Sequence, residues 1–292
     1  MMHIVLMHNP SAGGQDHDAA DLVRRIEGVG HHVVACVESR RALTEALRSP
    51  CDLVVVAGGD GTVNKAASIL AGTGVPLTVL PFGTANNIAR TLRLDAPVGE
   101  RIAGWSSDAV RAFDVAHATA EGETRCFFEA LGFGAFPRLM HREVEPEEPI
   151  EPDDKLARDL KLLRKHVAQS PLKRYEIVAD GEDLSGAYLM IEVLNIPFIG
   201  PSLPLAPGAC PSDGRLDLVL VGEAERPLVL AALDRMRDGE EAALILPTRH
   251  VGRVVVEGSL RRYHRDGDLC EGPAKTMDVR VEAGGVRVLA PQ

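Results

Sequence analysis

Short apolar segments alternate with amphipathic ones along the first hundred residues, and this alternation constrains the fold more than any other feature. The predicted strands are 3–9, 31–38, 52–57 and 76–83, and the predicted helices are 16–30, 41–48, 62–72 and 86–94. The strand segments are nearly continuous apolar runs, which are typical of strands buried on both faces. The sequence therefore predicts an α/β domain with an open parallel sheet covered by helices.

The alternation stops after Ser107, and the rest of the chain is rich in strand patterns. The predicted strands there are 110–119, 174–180, 187–195, 215–221, 250–258, 277–283 and 285–291. Asp-Gly or Gly-Gly pairs lie between them as in β-hairpins, including the pair Gly284-Gly285 near the end. We therefore predict an α/β domain over 1–108 and a mostly β domain over 109–292.

Two segments interrupt the second domain. Residues 143–154 are acidic and proline-rich, which is typical of a surface loop. Residues 155–168 have the period of an amphipathic helix with an apolar and a basic face. The apolar face carries Leu156, Leu160, Leu163 and Val167, and the basic face carries Arg158, Lys161 and Lys165. The pattern favours a surface helix packed on a core, with contact to a membrane surface or an anionic substrate as the alternative.

Charge and cysteine content argue against several function classes. A net charge of -10 argues against a general nucleic-acid binder, because phosphate contacts need a basic surface. The five cysteines form no CxxC or Cys/His cluster, which argues against a zinc site and fits a reducing cytoplasm. The first residues lack the pattern of a signal peptide, and no apolar run reaches the roughly 20 residues of a spanning helix. We expect a cytoplasmic protein that would reach any lipid substrate from solution.

The sequence GGDGT, residues 58–62, joins a predicted strand to a predicted helix. Glycines let a ligand approach backbone amides, and those amides and the helix N-terminus attract phosphate; we expect Thr62 to cap this helix. The loop matches neither the Walker nor the GxGxxG pattern. A carboxylate beside phosphates is repulsive unless a divalent cation bridges them or the carboxylate handles a proton, and Asp60 therefore indicates phosphoryl transfer. The alternative is a tight turn with an exposed aspartate.

Two further loops support a phosphate site. NPSAGG, residues 9–14, follows the first predicted strand, and FGTANN, residues 82–87, follows the fourth. Ligands bind open parallel sheets at the carboxyl ends of the strands. The three loops together therefore predict a ligand site at one edge of this sheet.

These loops resemble the catalytic domain of diacylglycerol kinases, sphingosine kinases and their bacterial lipid-kinase relatives. FDVA around Asp114 and the segments 127–135, 205–218 and 264–273 follow in the family's order, and the resemblance covers nearly the whole chain. GGDGT also occurs in NAD kinases and, loosely, in phosphofructokinases, whereas PFGTANN and the later motifs select the lipid kinases. The resemblance implies an antiparallel β-sandwich as the second domain, completing the active site and the lipid-acceptor cleft. It also implies ATP- and Mg²⁺-dependent phosphorylation of a lipid hydroxyl, with diacylglycerol converted to phosphatidic acid as the expected reaction.

The resemblance also implies site residues. The expected ATP-binding residues are Asn9, Pro10, Ser11, Ala12, Gly13, Gly58, Gly59, Asp60, Gly61, Thr62, Val63, Asn64 and Thr84. Asp60 would act catalytically in a water-mediated Mg²⁺ network with Asp114, while the family's third aspartate is Asn87 here. The family's proton acceptor is a glutamate in Asp-Gly-Glu; the motif here is Asp266-Gly267-Asp268, so Asp268 is the expected base and Asp266 the next candidate. The alternative for this motif is a plain hairpin turn.

A structural Mg²⁺ is a further expectation from the family. Its ligands would be the Asp213 carboxylate and the carbonyls of Cys210 and Arg215, oxygen donors that suit a hard cation. The alternative is a capped turn at 212–214.

Departures from the family pattern keep other functions open. Ile196-Pro197-Phe198 follows Asn195 where the family often has glycines, and Ala135-Phe136 replaces an acid. A NAD kinase-like enzyme would share GGDGT but should carry a Gly-Ser-Thr loop and an Asn-Glu pair, which we do not find. The residues Asn87 and Asp268 support a non-catalytic nucleotide-binding regulator. The expected partner is a lipid at a membrane surface, with no nucleic acid; the oligomeric state stays open, a homodimer among the states considered.

Overall fold

The computed structural model describes residues 1–12, 17–140, 152–242 and 244–291. The chain forms two compact units. The first consists of Met1–Phe113 with Gly284–Gln292, and the second of Asp114–Ala283. The chain passes from the first unit to the second and returns near its end, so the C-terminal residues belong to the first unit.

The first unit alternates strands and helices as predicted. In chain order its elements are β1 His3–His8, α1 Ala19–Gly28, β2 His32–Val37, α2 Arg40–Ala46, β3 Leu53–Gly58, α3 Asp60–Leu70, β4 Leu77–Pro81, α4 Asn87–Thr91 and α5 Val98–Ala103, followed by β5 Val110–Ala120, which continues into the second unit. The sheet order is β4-β3-β1-β2 and these pairs are parallel, so the predicted open parallel sheet is confirmed.

Burial explains why these segments form this sheet. All six residues of β3 are buried, as expected for a central strand covered on both faces. Helix α1 begins after Asp18, whose carboxylate accepts the Asp21 backbone N–H, and it buries Leu22 and Ile26 against the strands. This sheet presents the carboxyl ends of three adjacent strands, β1, β3 and β4, along one edge.

The second unit is mostly antiparallel. Its elements are β6 Glu123–Phe127, β7 Ala130–Gly134, α6 Ala135–Met140, α7 Pro152–Gln169, β8 Lys173–Ala179, β9 Glu182–Asp183, β10 Gly186–Tyr188, β11 Met190–Leu194, β12 Phe198–Ile199, β13 Leu203–Pro204, β14 Leu216–Val221, α8 Arg226–Arg237, β15 Thr248–Val251, β16 Arg253–Glu257, β17 Arg262–Arg265, β18 Asp268–Glu271 and β19 Thr276–Leu289, the last continuing into the first unit. One sheet has the order β15-β14-β11-β7-β17-β18, and a second contains β10-β8-β16-β19 with β5 and β6.

The two sheets of this unit share one core, as in a sandwich. Side chains of the first sheet, such as Phe133 and Ile191, cluster with side chains of the second, such as Ile177 and Val254. Helices α7 and α8 cover the opposite face of the six-stranded sheet. The predicted packing of 155–168 is confirmed, because Leu160, Leu163 and Val167 are buried there and Leu156 is partly buried.

Several predicted boundaries were wrong. Gly284-Gly285 does not form a hairpin: β19 runs through it, with Gly284 at φ 63°, at the point where the strand passes from the second unit to the first. Segment 250–258 divides at Gly252 into β15 and β16. Helix α3 begins at Asp60 with Gly59 as its N-cap, so Thr62 lies within the helix and does not cap it.

Two predictions concern segments that the structure describes only in part. The acidic segment 143–154 lies outside the described residues except for 152–154, which already belong to α7. Among the described residues, no helix is long and apolar enough to cross a membrane.

Candidate active site

The loops that follow β1 and β3 are joined by Asn9. Its side-chain amide donates to Thr62 Oγ1 at 3.1 Å, and its side-chain oxygen accepts the Ser11 backbone N–H at 3.1 Å. The adjoining glycine is needed for this contact, because a Cβ on Gly58 would lie 2.7 Å from Thr62 Oγ1. The Thr62 hydroxyl therefore holds two loops together.

The loops that follow β3 and β4 meet at two glycines. A Cβ on Gly59 would lie 3.0 Å from the Gly83 Cα, and a Cβ on Gly83 would lie 2.5 Å from the Gly59 Cα. Asn86, at φ 52°, holds the second loop with two bonds to Gly83: its side-chain oxygen accepts the backbone N–H at 2.9 Å, and its amide donates to the carbonyl at 2.6 Å. Gly61 has open space around it. Close backbone packing thus explains Gly59, and Gly61 is left facing solvent.

Asp60 connects the same two loops through its carboxylate. One oxygen accepts the Asn87 backbone N–H at 2.9 Å and the other accepts the Ile88 N–H at 3.0 Å. These amides begin α4, whose N-cap side chain makes no capping bond, so Asp60 supplies the cap from another helix. Burial raises the pKa of Asp60, against the effect of the amide hydrogen bonds. The alternative of an exposed aspartate in a plain turn is wrong.

The predicted ATP-binding residues divide by exposure. Pro10, Ser11, Gly61 and Thr84 are exposed, whereas Ala12, Gly58, Thr62 and Val63 are buried, with Asn9, Gly59, Asp60 and Asn64 between these extremes. Gly13 lies outside the described residues. The exposed residues are accessible to a ligand, whereas buried Thr62 joins the first two loops through Asn9.

Sequence reasoning missed the support of the first loop. His17 stacks on Phe82 with ring centroids 3.9 Å apart, and its two ring nitrogens lie 2.9 Å from His8 Nε2 and 3.0 Å from the Ala12 carbonyl. No local pattern marks these residues, and the stacking contact joins residues 17 and 82, which are far apart in the sequence. Their arrangement fixes both ends of the loop that follows β1.

In the second unit, Asp114 is bound to the turn that precedes β14. It is 1% exposed; its carboxylate accepts the Gly214 N–H at 2.7 Å, and its backbone N–H donates to the Pro211 carbonyl at 2.6 Å. The side-chain amide of buried Asn195 donates to the carbonyls of Asp114 and Phe128 at 2.9 and 3.0 Å. Asp114 is therefore a fixed carboxylate in a rigid setting.

The turn at 210–215 tests the expected structural metal. The Asp213 carboxylate is exposed and one of its oxygens accepts the Arg215 N–H at 2.8 Å, while the Asp213 N–H approaches the Cys210 carbonyl at 3.4 Å. This is the geometry of a capped turn. Its carboxylate and carbonyl oxygens fit a hard cation in donor chemistry, although the described residues contain no group of three or more His, Cys, Asp or Glu side chains that could hold a metal. The site at Asp213 stays a prediction.

The Asp-Gly-Asp hairpin separates its two acids. Asp266, at φ 48°, directs its carboxylate at the backbone N–H groups of Phe128, Glu129 and Ala130, at 3.0, 2.7 and 3.3 Å. Burial raises the pKa of Asp266 to about 6, although these hydrogen bonds act in the opposite direction. Asp268 begins β18 and is exposed. Asp266 thus anchors the turn, and Asp268 is open to a ligand.

A groove of about 600 Å³ lies on the second unit, and four of the five charged residues that line it are basic. Arg138, Lys173, Arg261 and Arg262 line it together with Glu271, which forms an ion pair with Arg262 at 2.7 Å. Such a groove is unexpected on a chain with a net charge of -10 and can attract an anion.

Two protein-family models match consecutive parts of this chain. The diacylglycerol kinase catalytic domain matches residues 3–118, and the YegS C-terminal NAD kinase beta sandwich-like domain matches residues 156–290. A protein of Citrobacter koseri named as a probable YegS-like lipid kinase is 30% identical over 243 residues, which are 79% of this chain and 78% of that protein. The chain belongs to the diacylglycerol kinase family of lipid kinases.

Further relatives are similar over nearly the whole chain. A diacylglycerol kinase of Mycobacterium tuberculosis is 26% identical over 284 residues, covering 94% of this chain and 87% of that protein. The crystal structure of a diacylglycerol kinase from Bacillus anthracis is similar with a TM-score of 0.72 at 20% identity, covering 99% of this chain and 97% of that one. An NAD kinase of Archaeoglobus fulgidus, solved in complex with ATP, is similar with a TM-score of 0.51 at 9% identity, covering 99% and 93%.

These matches confirm the predicted family, the predicted fold class and the prediction that the protein is a kinase. Within the part of the chain that the catalytic-domain model matches, Asn9 contacts Thr62, Gly59 contacts Gly83, and Asp60 contacts the start of α4. The roles of these residues, and those of Asp268 and Asp213, are taken up as proposals.

Proposed function

We propose that the protein is an ATP- and Mg²⁺-dependent lipid kinase that transfers the γ-phosphate to a lipid hydroxyl, with diacylglycerol as the acceptor and phosphatidic acid as the product. The observation that carries this proposal is the joined set of three loops at the carboxyl ends of β1, β3 and β4. Asn9, the Gly59–Gly83 contact and Asp60 hold these loops together. Family membership indicates the class of reaction, and the three loops would form the binding site for the phosphates of ATP.

ATP phosphates would lie against the exposed part of these loops. Gly61 is the second residue of α3, where backbone N–H groups have no partner within the helix and favour an anion. A Cβ on Gly61 would meet no other atom within 4 Å, so a phosphate can approach its backbone. Ser11 and Thr84, both exposed, would contact the nucleotide from the other two loops.

The hydroxyl proton would pass to Asp268. In the proposed reaction, the lipid oxygen forms a bond to the γ-phosphorus, the bond from that phosphorus to the β-phosphate oxygen breaks, and ADP leaves. Asp268 accepts the proton because it is exposed, whereas the carboxylate of Asp266 already accepts three backbone N–H groups. An exposed acid on an anchored turn supports this assignment.

Mg²⁺ would be held by carboxylates that the structure fixes in place. Asp60 and Asp114 are the candidates for the catalytic ion and Asp213 for the structural one. When bound, the ion neutralises charge on the phosphates. The backbone N–H of Asn87 donates to the Asp60 carboxylate. This position, which is an aspartate in the family, therefore contributes a hydrogen bond to Asp60 and no third carboxylate.

The basic groove supports contact with an anionic membrane surface. Its lining carries four cations, Arg138, Lys173, Arg261 and Arg262, and one carboxylate, Glu271. Basic residues near a surface are attracted to anionic lipids by about 1 kcal/mol each. The protein would thus visit the membrane to reach its lipid.

A transfer assay with radiolabelled ATP and a panel of lipids in mixed micelles tests the proposal. We expect labelled phosphatidic acid from diacylglycerol, and loss of the label when Mg²⁺ is chelated. Labelled NADP from added NAD, with no labelled lipid, would instead favour a NAD kinase-like activity. ATP binding without any labelled product would favour the regulatory alternative.

A further inference from the structure

A carboxylate and an imidazole are paired inside the six-stranded sheet. Glu192 on β11 is 0% exposed and His264 on β17 is 1% exposed. Their side chains meet with Glu192 Oε2 2.6 Å from His264 Nε2, a short distance typical of a charge-assisted hydrogen bond. The pair belongs to none of the expected ATP, metal or base residues.

The two side chains reach each other across a strand that lies between them. Strand β7 separates β11 from β17, and Gly132 of β7 stands opposite both Glu192 and His264. A Cβ on Gly132 would lie 1.9 Å from Glu192 Oε2. The absence of a side chain at Gly132 is therefore what lets the pair form.

Aromatic packing holds the imidazole from one side. The ring of Phe136, in α6, lies with its centroid 4.6 Å from that of His264, and a Cβ on Gly200 would lie 2.5 Å from Phe136. The position of Glu192 thus depends on a glycine at 132, and the position of Phe136 depends on a glycine at 200.

The pair is a poor source of stability. Glu192 Oε1 and His264 Nδ1 are buried and have no hydrogen-bond partner within the part of the chain that the structure describes. Burial raises the pKa of Glu192, although His264 opposes this shift. Replacing a buried pair by apolar side chains of similar volume is often neutral or stabilising. A role in fixing geometry accounts for the pair better than a role in stability.

What the pair fixes is the hairpin that carries Asp268. Strands β17 and β18 have four residues each, and β18 is the edge strand of the sheet in the described part of the chain. Three residue pairs join β17 to β7. A hairpin this short is marginally stable by itself. His264 ties it past β7 to β11, and Asp266 ties its turn to the backbone at 128–130.

We infer that Glu192 and His264 are positioning residues whose bond across Gly132 fixes the β17–β18 hairpin and thereby the place of Asp268 in the reaction. This inference rests on the proposed function through the role of Asp268. Neither residue touches the substrate. Misplacing a reacting group by about 1 Å can reduce a rate by about a hundredfold, so a loosened hairpin should lower turnover without unfolding the protein.

The test is the double variant Glu192→Leu/His264→Phe in the full chain. We expect its melting temperature to stay within about 5 °C of wild type, because both polar partners are replaced together. We expect kcat with diacylglycerol to fall at least tenfold, KM for ATP to change less than twofold, and amide hydrogen exchange over 262–271 to become at least tenfold faster. The single variant Glu192→Gln keeps an oxygen that can accept the imidazole N–H. It should therefore retain most of the wild-type kcat and most of the wild-type protection of 262–271 from hydrogen exchange.

The matched control is Arg164→Met/Asp234→Leu, which removes a two-bond ion pair between α7 and α8, at 2.7 and 3.0 Å, in the same unit. It should leave kcat and hydrogen exchange of the hairpin unchanged.

Gly132→Ala gives a second line of evidence, since its methyl group displaces the Glu192 carboxylate. If this variant does not fold, Gly132→Ala/Glu192→Ala removes the clash between the methyl group and the carboxylate. The double variant should fold and show the same increase in hydrogen exchange of the hairpin.

Two outcomes separate this inference from the proposed function. If wild type phosphorylates no lipid, the proposed function fails, and hydrogen exchange of the hairpin alone decides the positioning role. If the double variant keeps wild-type kcat and wild-type hairpin exchange, the inference is overturned.

Discussion

Asp60 shows what a single residue contributes beyond its motif. The sequence identified it as an acid in a glycine turn that could tolerate phosphates. The structure shows that its two oxygens accept the Asn87 and Ile88 amides, so its charge also stabilises the start of α4. The sequence predicted that the loops of residues 60 and 87 lie at the same edge of the sheet. It could not predict this second role, because the groups that Asp60 binds are backbone amides, which every residue except proline supplies.

Asp60→Asn should therefore reduce stability as well as activity. An asparagine side chain offers one acceptor oxygen, and its NH₂ group would face a backbone N–H. We expect the free energy of unfolding to fall by about 1–3 kcal/mol in urea denaturation. Asp108→Asn, at an exposed position of the same unit, is the control and should change little. Equal stability of Asp60→Asn and wild type would contradict the capping role.

Gly61 allows a clean test of phosphate approach. Gly59 does not, because a side chain there would meet Gly83. Gly61→Ala adds a methyl group into open space at the second position of α3. We expect stability to be equal or up to about 1 kcal/mol higher, since alanine favours helix, while ATP affinity measured by calorimetry falls at least tenfold.

The control for Gly61→Ala is Gly99→Ala. Gly99 is also the second residue of a helix, α5, and also has open space. Its variant should bind ATP as wild type does. ATP affinity unchanged in Gly61→Ala would show that phosphates do not lie on this loop.

At the scale of elements, strand and helix positions in the first unit followed from the apolar pattern, because β3 and its neighbours are buried on both faces. The connections between strands in the second unit did not follow from this pattern. Gly284-Gly285 has the composition of a hairpin turn, but β19 continues through it and pairs with β16 in one unit and with β4 in the other. A strand's partners are long-range contacts, which a local window does not contain.

The pairing of β16 with β19 gives a prediction about pH. Arg253 donates twice to the Asp278 carboxylate at 2.9 Å and Arg280 donates as well, and these bonds lower the pKa of Asp278 to about 2. A depressed pKa contributes stability that is present above about 3.8 and lost as the pH falls through about 2.

Asp278→Asn should consequently be less stable than wild type by about 1–2 kcal/mol at pH 7, a value reduced from the full shift because the side chain is 23% exposed. Urea denaturation at a series of pH values should show this difference shrinking between pH 4 and pH 2. A difference that is zero at pH 7, or constant with pH, would contradict the assignment.

At the scale of the whole molecule, the motifs from NPSAGG to HRDGDLCEGP predicted the family, because GGDGT is shared with NAD kinases whereas PFGTANN and the later motifs, in this order, select the lipid kinases. The supporting contacts could not be predicted. His17 and Glu192 belong to no motif, and the motif that contains His264 and Asp266 does not indicate which distant groups these two side chains bind. Overall charge was also a poor guide, since an acidic chain carries a basic groove.

The groove predicts binding to anionic vesicles. Arg138→Gln/Arg261→Gln should weaken co-sedimentation with phosphatidylglycerol vesicles by about tenfold or more, since each arginine is worth about 1 kcal/mol near such a surface. The control Arg40→Gln/Arg48→Gln removes the same charge from exposed positions of the first unit. Equal loss in both variants would show that net charge, rather than the groove, attracts the protein.

Asp268→Asn tests the proposed kinase reaction through two measurements, ATP binding and lipid phosphorylation. Asparagine keeps the size of the side chain but accepts no proton near neutral pH, and a general base contributes about 10²–10⁴ in rate. We predict unchanged ATP affinity, turnover of diacylglycerol reduced at least a hundredfold, and substantial activity in Asp268→Glu. Turnover by Asp268→Asn at the wild-type rate would contradict the account.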